Sequence, residues 1–198
     1  MTGRIVLASG SVIRAKILTD AGVDFTIVKP DVDEDVIKRN ATAAGLSLEE
    51  TAARLADAKA LAASVEDADI VIGSDQIMEY DGRAYDKPKT LTEAAERLNA
   101  IAGSAHTLIN AVSVARAGRV VWRNLCRPTL HMRSLTAAEI SAYIEDAGPV
   151  ILTSVGAYQV ERLGSRLFER IDGDYFAVLG LSLYPTLGIL REFGALDY

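Results

Sequence analysis

The sequence predicts an α/β fold, and three observations carry the prediction. Arg4-Ile5-Val6-Leu7-Ala8 and Ile70-Val71-Ile72 are short, continuous apolar runs of the kind found in strands buried on both faces. Between them, apolar residues recur at helical spacing, most clearly from Leu48 to Ser64. Further along, Asp81-Gly82, Ala117-Gly118 and Asp172-Gly173 separate apolar runs in the manner of hairpin turns. A chain of 198 residues is long enough for one compact α/β unit or for two small lobes around a cleft.

The first strand, Arg4 to Ala8, runs into Ser9-Gly10-Ser11. Val12 to Ala21 then has helical spacing, with Gly22 as its stop. Strand, Ser/Gly turn and helix form a phosphate-binding arrangement, because amides at a helix N-terminus point at anions. Ser9 and Ser11 add hydroxyl donors and Arg14 lies on the first turn. The same turn also caps many helices that bind no ligand.

Asp24 to Val28 reads as a second strand, ended by Pro30. The acidic cluster Asp31, Asp33, Glu34 and Asp35 is either a solvated loop or, following a strand as Asp75 does, part of a shared metal or base site. Leu48 to Ser64 is a helix with Leu48, Ala52, Leu55 and Ala56 on its apolar side and Glu49 and Glu50 at its N-terminal end. Lys59 lies near that apolar side and reads as a lysine that snorkels to solvent.

The strand Ile70 to Ile72 stops at Gly73, and Asp75 follows two residues later. An acid at the carboxyl end of a buried strand lies where open α/β sheets form their ligand crevice. The alternative is that Ser74-Asp75 caps the next element or starts a turn. Ile77 to Tyr80 and Arg83 to Tyr85 then form a hairpin around Asp81-Gly82, a pair suited to a type I′ turn. Asp86-Lys87-Pro88 holds Lys87 just before a rigid proline, and Thr92 to Ala102 is a helix with Thr92 as N-cap and Gly103 as stop.

His106 to Ala115 and Val120 to Met132 read as a long antiparallel pair, with His106 as a polar edge residue. Thr136 to Ala147 is a helix with a Thr136/Glu139 capping box, ended by Gly148-Pro149. Val150 to Val160 is apolar and interrupted by Gly156, which predicts an irregular or closely approached segment. Arg166 to Ile171 and Tyr175 to Leu179 read as another hairpin, and Ser182 to Phe193 as a closing helix with Pro185 in its first turn.

Composition sets limits on function. Hydrophobic residues make up 49% and charged residues 24%, as in an ordinary globular protein. The net charge is -6 with no basic tail or stripe, which disfavours a nucleic-acid polymer and leaves a small polyanion open. Cys126 is the lone cysteine, so no intramolecular disulfide forms, and it reads as a small buried residue. There is no basic region followed by a long apolar run at the N-terminus, so no signal peptide is expected. Tyr175 to Leu190, the longest uncharged run, contains Pro185 and falls short of the about 20 apolar residues of a membrane helix. The expectation is a soluble cytoplasmic protein.

Arg14, Lys59 and Lys87 are candidate cations at three separate element ends, and Glu34 and Asp75 candidate anions at two more. Brought together, they make a cationic cradle around a carboxylate pair. A polyphosphate needs such an arrangement: the cations neutralise it, and the carboxylates hold a divalent cation or activate water. No P-loop, zinc spacing or Ser/His/Asp nucleophile set is present.

Eight segments in order carry a resemblance. They are Leu7-Ala8-Ser9-Gly10-Ser11 with Arg14, Asp33-Glu34, Leu55-Ala56 with Lys59-Ala60, and Gly73-Ser74-Asp75-Gln76. After these come Lys87-Pro88, Gly103 with His106, Gly156-Ala157-Tyr158, and Ile171-Asp172-Gly173-Asp174-Tyr175 followed by Gly180-Leu181. The whole chain resembles the Maf family of nucleotide pyrophosphatases, also described as septum-formation inhibitors. The resemblance implies a single Maf-like (ITPase-like) unit over residues 1–198, with a mixed twisted sheet flanked by helices and two lobes around a cleft, often as a homodimer. It implies hydrolysis of a nucleoside triphosphate to monophosphate and pyrophosphate, in nucleotide-pool clean-up, with Mg²⁺, Mn²⁺ or Co²⁺. Asp75 matches the family's proton acceptor. Ser9, Arg14, Glu34, Lys59 and Lys87 match residues lining its phosphate and metal site. Ser11 joins them as a hydroxyl donor to the substrate, and Glu34 and Asp75 are the carboxylates expected to hold the metal, with Glu34 alternatively holding a lysine.

The family divides by base. The branch acting on dTTP and UTP carries Asp-Thr at the catalytic motif and Gln in the later Gly-Ala-Tyr segment. The branch acting on 7-methyl-GTP carries Asp-Gln and an acidic residue there. Asp75-Gln76 and Glu161 resemble the second branch. A 7-methylguanine ring is positively charged and presents N–H donors, which a carboxylate accepts. The chain departs from that branch at Ile13, where Trp is usual, at Ala15, where a second Arg is usual, and at Asp86, Ser154-Val155 and Arg162. Two other readings are a dTTP/UTP-preferring pyrophosphatase and a nucleotide-binding regulator of cell division whose hydrolysis is incidental.

Overall fold

The structure is a computed structural model that describes residues 3–63 and 69–198. The chain divides into two compact units. One comprises Met1–Gln76, Asn110–Cys126 and Phe176–Tyr198, and the other Ile77–Ile109 and Arg127–Tyr175.

In the first unit, β1 (Ile5–Ala8) lies between β2 (Thr26–Ile27) and β3 (Ile70–Tyr80), and both pairings are parallel. The strand order continues to β5 (Ala105–Arg116), on which β6 (Arg119–Cys126) lies antiparallel. β3 and β5 each run through both units. Side chains alternate across a strand, so β1 and β3 feed two cores. Ile5, Leu7, Ile70 and Ile72 pack with Ile17 and Leu18 of α1 (Val12–Asp20) and with Leu183, Ile189 and Leu190 of α7 (Leu183–Glu192). Val6, Ala8 and Val71 pack on the other face with Ala60 of α3 (Leu48–Ala62) and with Ala63. Strands covered on both faces explain the unbroken apolar runs.

One approach is unusually close. Gly73 shares a face with Val71, and a Cβ there would collide with the Ala56 carbonyl oxygen and lie 2.6 Å from the Ala60 amide. Only glycine lets α3 lie this near β3. Asp57 of α3 also accepts from the Ser113 hydroxyl (2.7 Å) and from Arg123 Nε (2.9 Å), tying the helix to β5 and β6.

The second unit contains the end of β3, on which β4 (Arg83–Tyr85) folds back. Asp81 (φ 51°) and Gly82 (φ 71°) make the expected tight turn. The start of β5 pairs with β7 (Thr129–Met132), which pairs with β8 (Phe168–Asp172), both antiparallel. α4 (Leu91–Ile101) buries Ala94, Leu98 and Ile101, and α5 (Ala137–Ala147) buries Ile140 and Tyr143. Among the described residues, no helix is long and apolar enough to cross a membrane.

Several expectations are corrected. β3 does not stop at Gly73 but continues through Asp75 to Tyr80. The acidic run is no loop: Asp33 caps α2 (Glu34–Ala43) by accepting from the Val36 amide at 2.9 Å, and Glu34 and Asp35 fill its first turn. The second strand shrinks to two residues. Ser64, expected to end α3, lies outside the described residues. Thr90, not Thr92, caps α4. The Val120 to Met132 strand breaks after Cys126 into β6 and β7, which pair with different parts of β5. Tyr175–Val178 is a helical turn, α6, rather than a hairpin strand. The apolar segment from Val150 opens as a 3-10 turn, Gly148–Thr153, before it becomes irregular. Cys126 is only half-buried. His106 is no edge residue: it is buried, 2% exposed, with Nε2 2.5 Å from the Tyr158 hydroxyl.

Two outcomes follow. Gly73→Ala forces α3 off β3 and costs about 3 kcal/mol, read as a fall in Tm of about 6–12 °C. A variant as stable as the parent contradicts the close approach. The second concerns His106, whose pKa burial, aided by His131, lowers from 6.5 to about 4. Protons then bind the unfolded chain more readily than the folded one between those values, so stability is undiminished above pH 6.5 and falls as pH drops toward about 4. The shift corresponds to a loss on the order of 3 kcal/mol. Denaturation across this range checks it, and His106→Gln should flatten the profile there.

Candidate active site

Asp75 lies two residues beyond Gly73, the end of the β1-paired part of β3, on the same face as Val71 and Gly73. That face meets α3, so Asp75 faces Lys59, whose ammonium is 2.6 Å from Asp75 Oδ1. Lys59 Nζ is also 2.8 Å from Glu34 Oε1, at the first position of α2. The lysine and Asp75 are both buried, at 8% and 6% exposure, whereas the Glu34 side chain is 44% exposed. The expected snorkelling lysine is therefore a buried cation bridging two carboxylates. Asp75 Oδ2 makes no hydrogen bond to a described residue.

Arg14 is built in from the other side of the strand. Its Nε donates to the Gly180 carbonyl (2.7 Å), and its Nη1 to the Ser74 carbonyl (2.9 Å) and the Ser9 hydroxyl (3.3 Å). Nη2 has no partner among the described residues. Burial lowers the guanidinium pKa below its ordinary value, opposed by the nearby Asp75 and Glu34 carboxylates. Gly180 has φ +105°, and a Cβ there would lie 3.2 Å from Arg14 Nε, so its backbone suits glycine and its carbonyl sits tight on the arginine.

Ser9 also accepts from the Ser11 amide (3.2 Å), and the Ser11 hydroxyl accepts weakly from the Arg14 amide (3.5 Å) as the cap of α1. Ile13 packs half-buried against the apolar core. Gln76 Nε2 donates to the carbonyls of Ala177 (2.8 Å) and Val178 (3.1 Å), spending its amide hydrogens on α6 and leaving Oε1 as an acceptor.

Ser9, Ser11, Arg14, Glu34, Lys59, Asp75 and Gln76 are thus gathered within one unit around the end of β1 and the middle of β3. Lys87 and Glu161 belong to the second unit, where both are exposed.

Asn110 escaped the sequence reading. Fully buried on β5, it donates from Nδ2 to the Asp75 carbonyl (3.2 Å) and, at 3.4 Å, to the Ser74 hydroxyl, while Oδ1 accepts from the Ser182 amide (3.1 Å). Ser74 Oγ in turn donates to the Gly180 carbonyl (2.8 Å), the same oxygen that holds Arg14. A lone asparagine inside the apolar run from Leu108 to Ala115 was the available signal, since buried amides sit where hydrogen bonds need completing.

A hydroxyl-lined turn at a helix N-terminus, an arginine with one amino group unpartnered among the described residues, and a lysine shared by two carboxylates form a candidate anion site on an α/β sheet. The chain belongs to the Maf family: the model for Maf-like protein matches residues 4–193. It is 46% identical over 195 residues to a nucleoside triphosphate pyrophosphatase of Maricaulis maris (strain MCS10), covering 98% of each chain. It is 43% identical over 195 residues to a 7-methyl-GTP pyrophosphatase of Rhizobium meliloti (strain 1021), again covering 98% of each. A nucleoside triphosphate pyrophosphatase of Caulobacter vibrioides is 43% identical over 192 residues, covering 97% of this chain and 96% of that one.

The bridged ion pairs make a stability prediction. Lys59→Met leaves two neighbouring carboxylates without their shared cation, one of them buried, and should cost about 3 kcal/mol in urea denaturation. A neutral outcome would mean the bridge is not formed in solution.

Proposed function

We propose that the protein is a nucleoside triphosphate pyrophosphatase that hydrolyses its substrate between the α- and β-phosphates. The observation that carries this reading is Asp75: Lys59 holds Oδ1 at 2.6 Å, and Oδ2 is left to accept a proton from an attacking water. Water attacks the α-phosphorus, the bond to the bridging oxygen breaks, and pyrophosphate leaves with the electron pair. Arg14 Nη2 and Lys59 neutralise the developing charge, and the preorganised arginine does so without reorganising. The Ser9-Gly10-Ser11 turn and the N-terminus of α1 receive phosphate oxygens.

A divalent cation fits the donor chemistry. Glu34 and Asp75 offer hard carboxylate oxygens, and Mg²⁺ is commonly held by one or two carboxylates plus substrate phosphates. Among the described residues there is no group of three or more acidic, His or Cys side chains that would hold a metal alone, so substrate phosphates would complete the coordination. When bound, the cation supplies charge neutralisation at the phosphates.

Lys87 and Glu161 take roles from the sequence resemblance, Lys87 toward phosphate and Glu161 toward the base. We assign 7-methyl-GTP as the preferred substrate. Gln76 presents only an acceptor and Glu161 is an acceptor, which suits the N–H donors on the guanine edge. The 7-methyl-GTP pyrophosphatase among the relatives points the same way, while relatives named only for nucleoside triphosphates leave a dTTP/UTP preference as the second reading. Clean-up of the nucleotide pool in the cytoplasm by a homodimer completes the proposal.

Asp75→Asn should lower pyrophosphate release by at least about 10³-fold while nucleotide still binds, since geometry is kept and the proton acceptor is lost. Full turnover in that variant would remove Asp75 from the role. Wild-type protein, assayed with Mg²⁺ and then Mn²⁺ against 7-methyl-GTP, GTP, UTP, dTTP and CTP, should release pyrophosphate fastest from 7-methyl-GTP. Faster release from UTP or dTTP would overturn the base assignment and keep the reaction. No release from any would favour a nucleotide-binding regulator.

A further inference from the structure

The second unit contains a costly arrangement that the proposed chemistry does not use. Arg97, on α4, donates from Nη1 to the main-chain carbonyls of Asp86 and Val155, the latter at 2.6 Å. Its guanidinium lies 5.1 Å from the centroid of the Tyr85 ring. Burial lowers its pKa below the ordinary value, opposed by Tyr85, Asp86 and Glu93. Its Nε is buried with no hydrogen-bond partner among the described residues. An unmet buried donor on a cation is unfavourable, so what it secures must compensate. The two carbonyls it grips are informative: Asp86 immediately precedes Lys87, and Val155 begins the segment that leads to Glu161.

That segment has no regular structure from Ser154 to Val160, yet its conformation is tightly specified. Ala157 is fully buried at φ 60°, a left-handed conformation that a non-glycine residue adopts only when its surroundings impose it. Gly156 lies against the Tyr158 ring, with no room for a Cβ. The Tyr158 hydroxyl is held by His106, and its ring stacks edge-on against Phe168 with centroids 4.7 Å apart. Gly164 packs on the Gln159 backbone, 2.6 Å from a Cβ position to the carbonyl oxygen. Arg97 is the first of these fixing points, and it also reaches the residue before Lys87.

We infer that Arg97 is a positioning residue for substrate selection: by gripping the Asp86 and Val155 carbonyls it fixes, in one unit, both the stretch that carries Lys87 and the segment that presents Glu161. The inference rests on the roles of Lys87 and Glu161 proposed above. A lysine cannot reproduce it, because its ammonium lacks the planar fork and the ring-stacking surface of arginine.

The test measures a ratio that loss of stability alone does not move. Dissociation constants for 7-methyl-GTP and UTP are determined by calorimetry in an Asp75→Asn background, where turnover is slowed by at least about 10³-fold. Adding Arg97→Lys should shrink the preference between the two nucleotides by at least about five-fold, within the range available to a displaced recognition group. Tyr158→Phe, which removes only the hydroxyl anchoring the same segment, should shift it the same way and serves if Arg97→Lys fails to fold. Leu98→Ala is the control: it destabilises the same helix through a fully buried side chain without touching either carbonyl, and should leave the ratio within about two-fold. An unchanged ratio in Arg97→Lys and Tyr158→Phe, or an equal change in Leu98→Ala, overturns the inference. Failure of the hydrolytic reading appears separately, as absence of pyrophosphate release by the parent protein.

Discussion

The candidate centre depends on how closely α3 lies on β3. Gly73 lets the helix backbone come against the strand, and that approach places Lys59 beside Asp75. A buried lysine and a buried aspartate are each unfavourable alone, and the pair is tolerable because each satisfies the other. Glu34 joins from the first turn of α2, where the helix dipole already favours an acid. The three charges are therefore a consequence of packing: an alanine-lined helix face, Ala56 and Ala60, laid across a glycine. The side-chain period of two then points Asp75 at that face, while Ser74 and Gln76 point at the other.

The opposite face of the strand is organised by hydrogen bonds rather than charge. Ser74, Asn110, Ser182 and Gly180 form one buried network in which the groups named here find partners, and Arg14 is fastened to it through two carbonyls. Such a network is rigid because each broken link strands a buried polar group. The result is a cation whose position is set before any anion arrives and whose remaining amino group has no competing partner among the described residues. Rigidity of this kind suits a phosphate site, since donors that need not reorganise contribute more to stabilising a developing charge.

Much of this was legible in the chain. The strand-turn-helix at Ser9-Gly10-Ser11 follows from apolar patterning and the turn residues that interrupt it. Asp75, Arg14, Lys59 and Glu34 stood out because charged residues at element ends are chemically conspicuous. What misled was local chemistry overridden by tertiary contact. Gly73-Ser74-Asp75 looks like a turn by composition, but the strand runs straight through because a helix packs on its glycine. Asp33-Glu34-Asp35 looks like a solvated loop, though an aspartate followed by acids is also how a helix begins. Tyr175-Phe176 has strand-like aromatics and folds as a helical turn, an instance of β-propensity yielding to context. Asn110 and Arg97 carry no motif; their importance lies in which main-chain atoms they reach, which spacing alone does not reveal.

Attack on the α-phosphorus by water activated at Asp75 is read from hydrolysis in ¹⁸O-labelled water with mass analysis of the products. Label in the nucleoside monophosphate, with unlabelled pyrophosphate, is the expected result, because the water oxygen bonds to the α-phosphorus and the bridging oxygen leaves with pyrophosphate. Label in pyrophosphate, or formation of nucleoside diphosphate with labelled orthophosphate, would put the attack on the β- or γ-phosphorus and remove Asp75 from the proposed role.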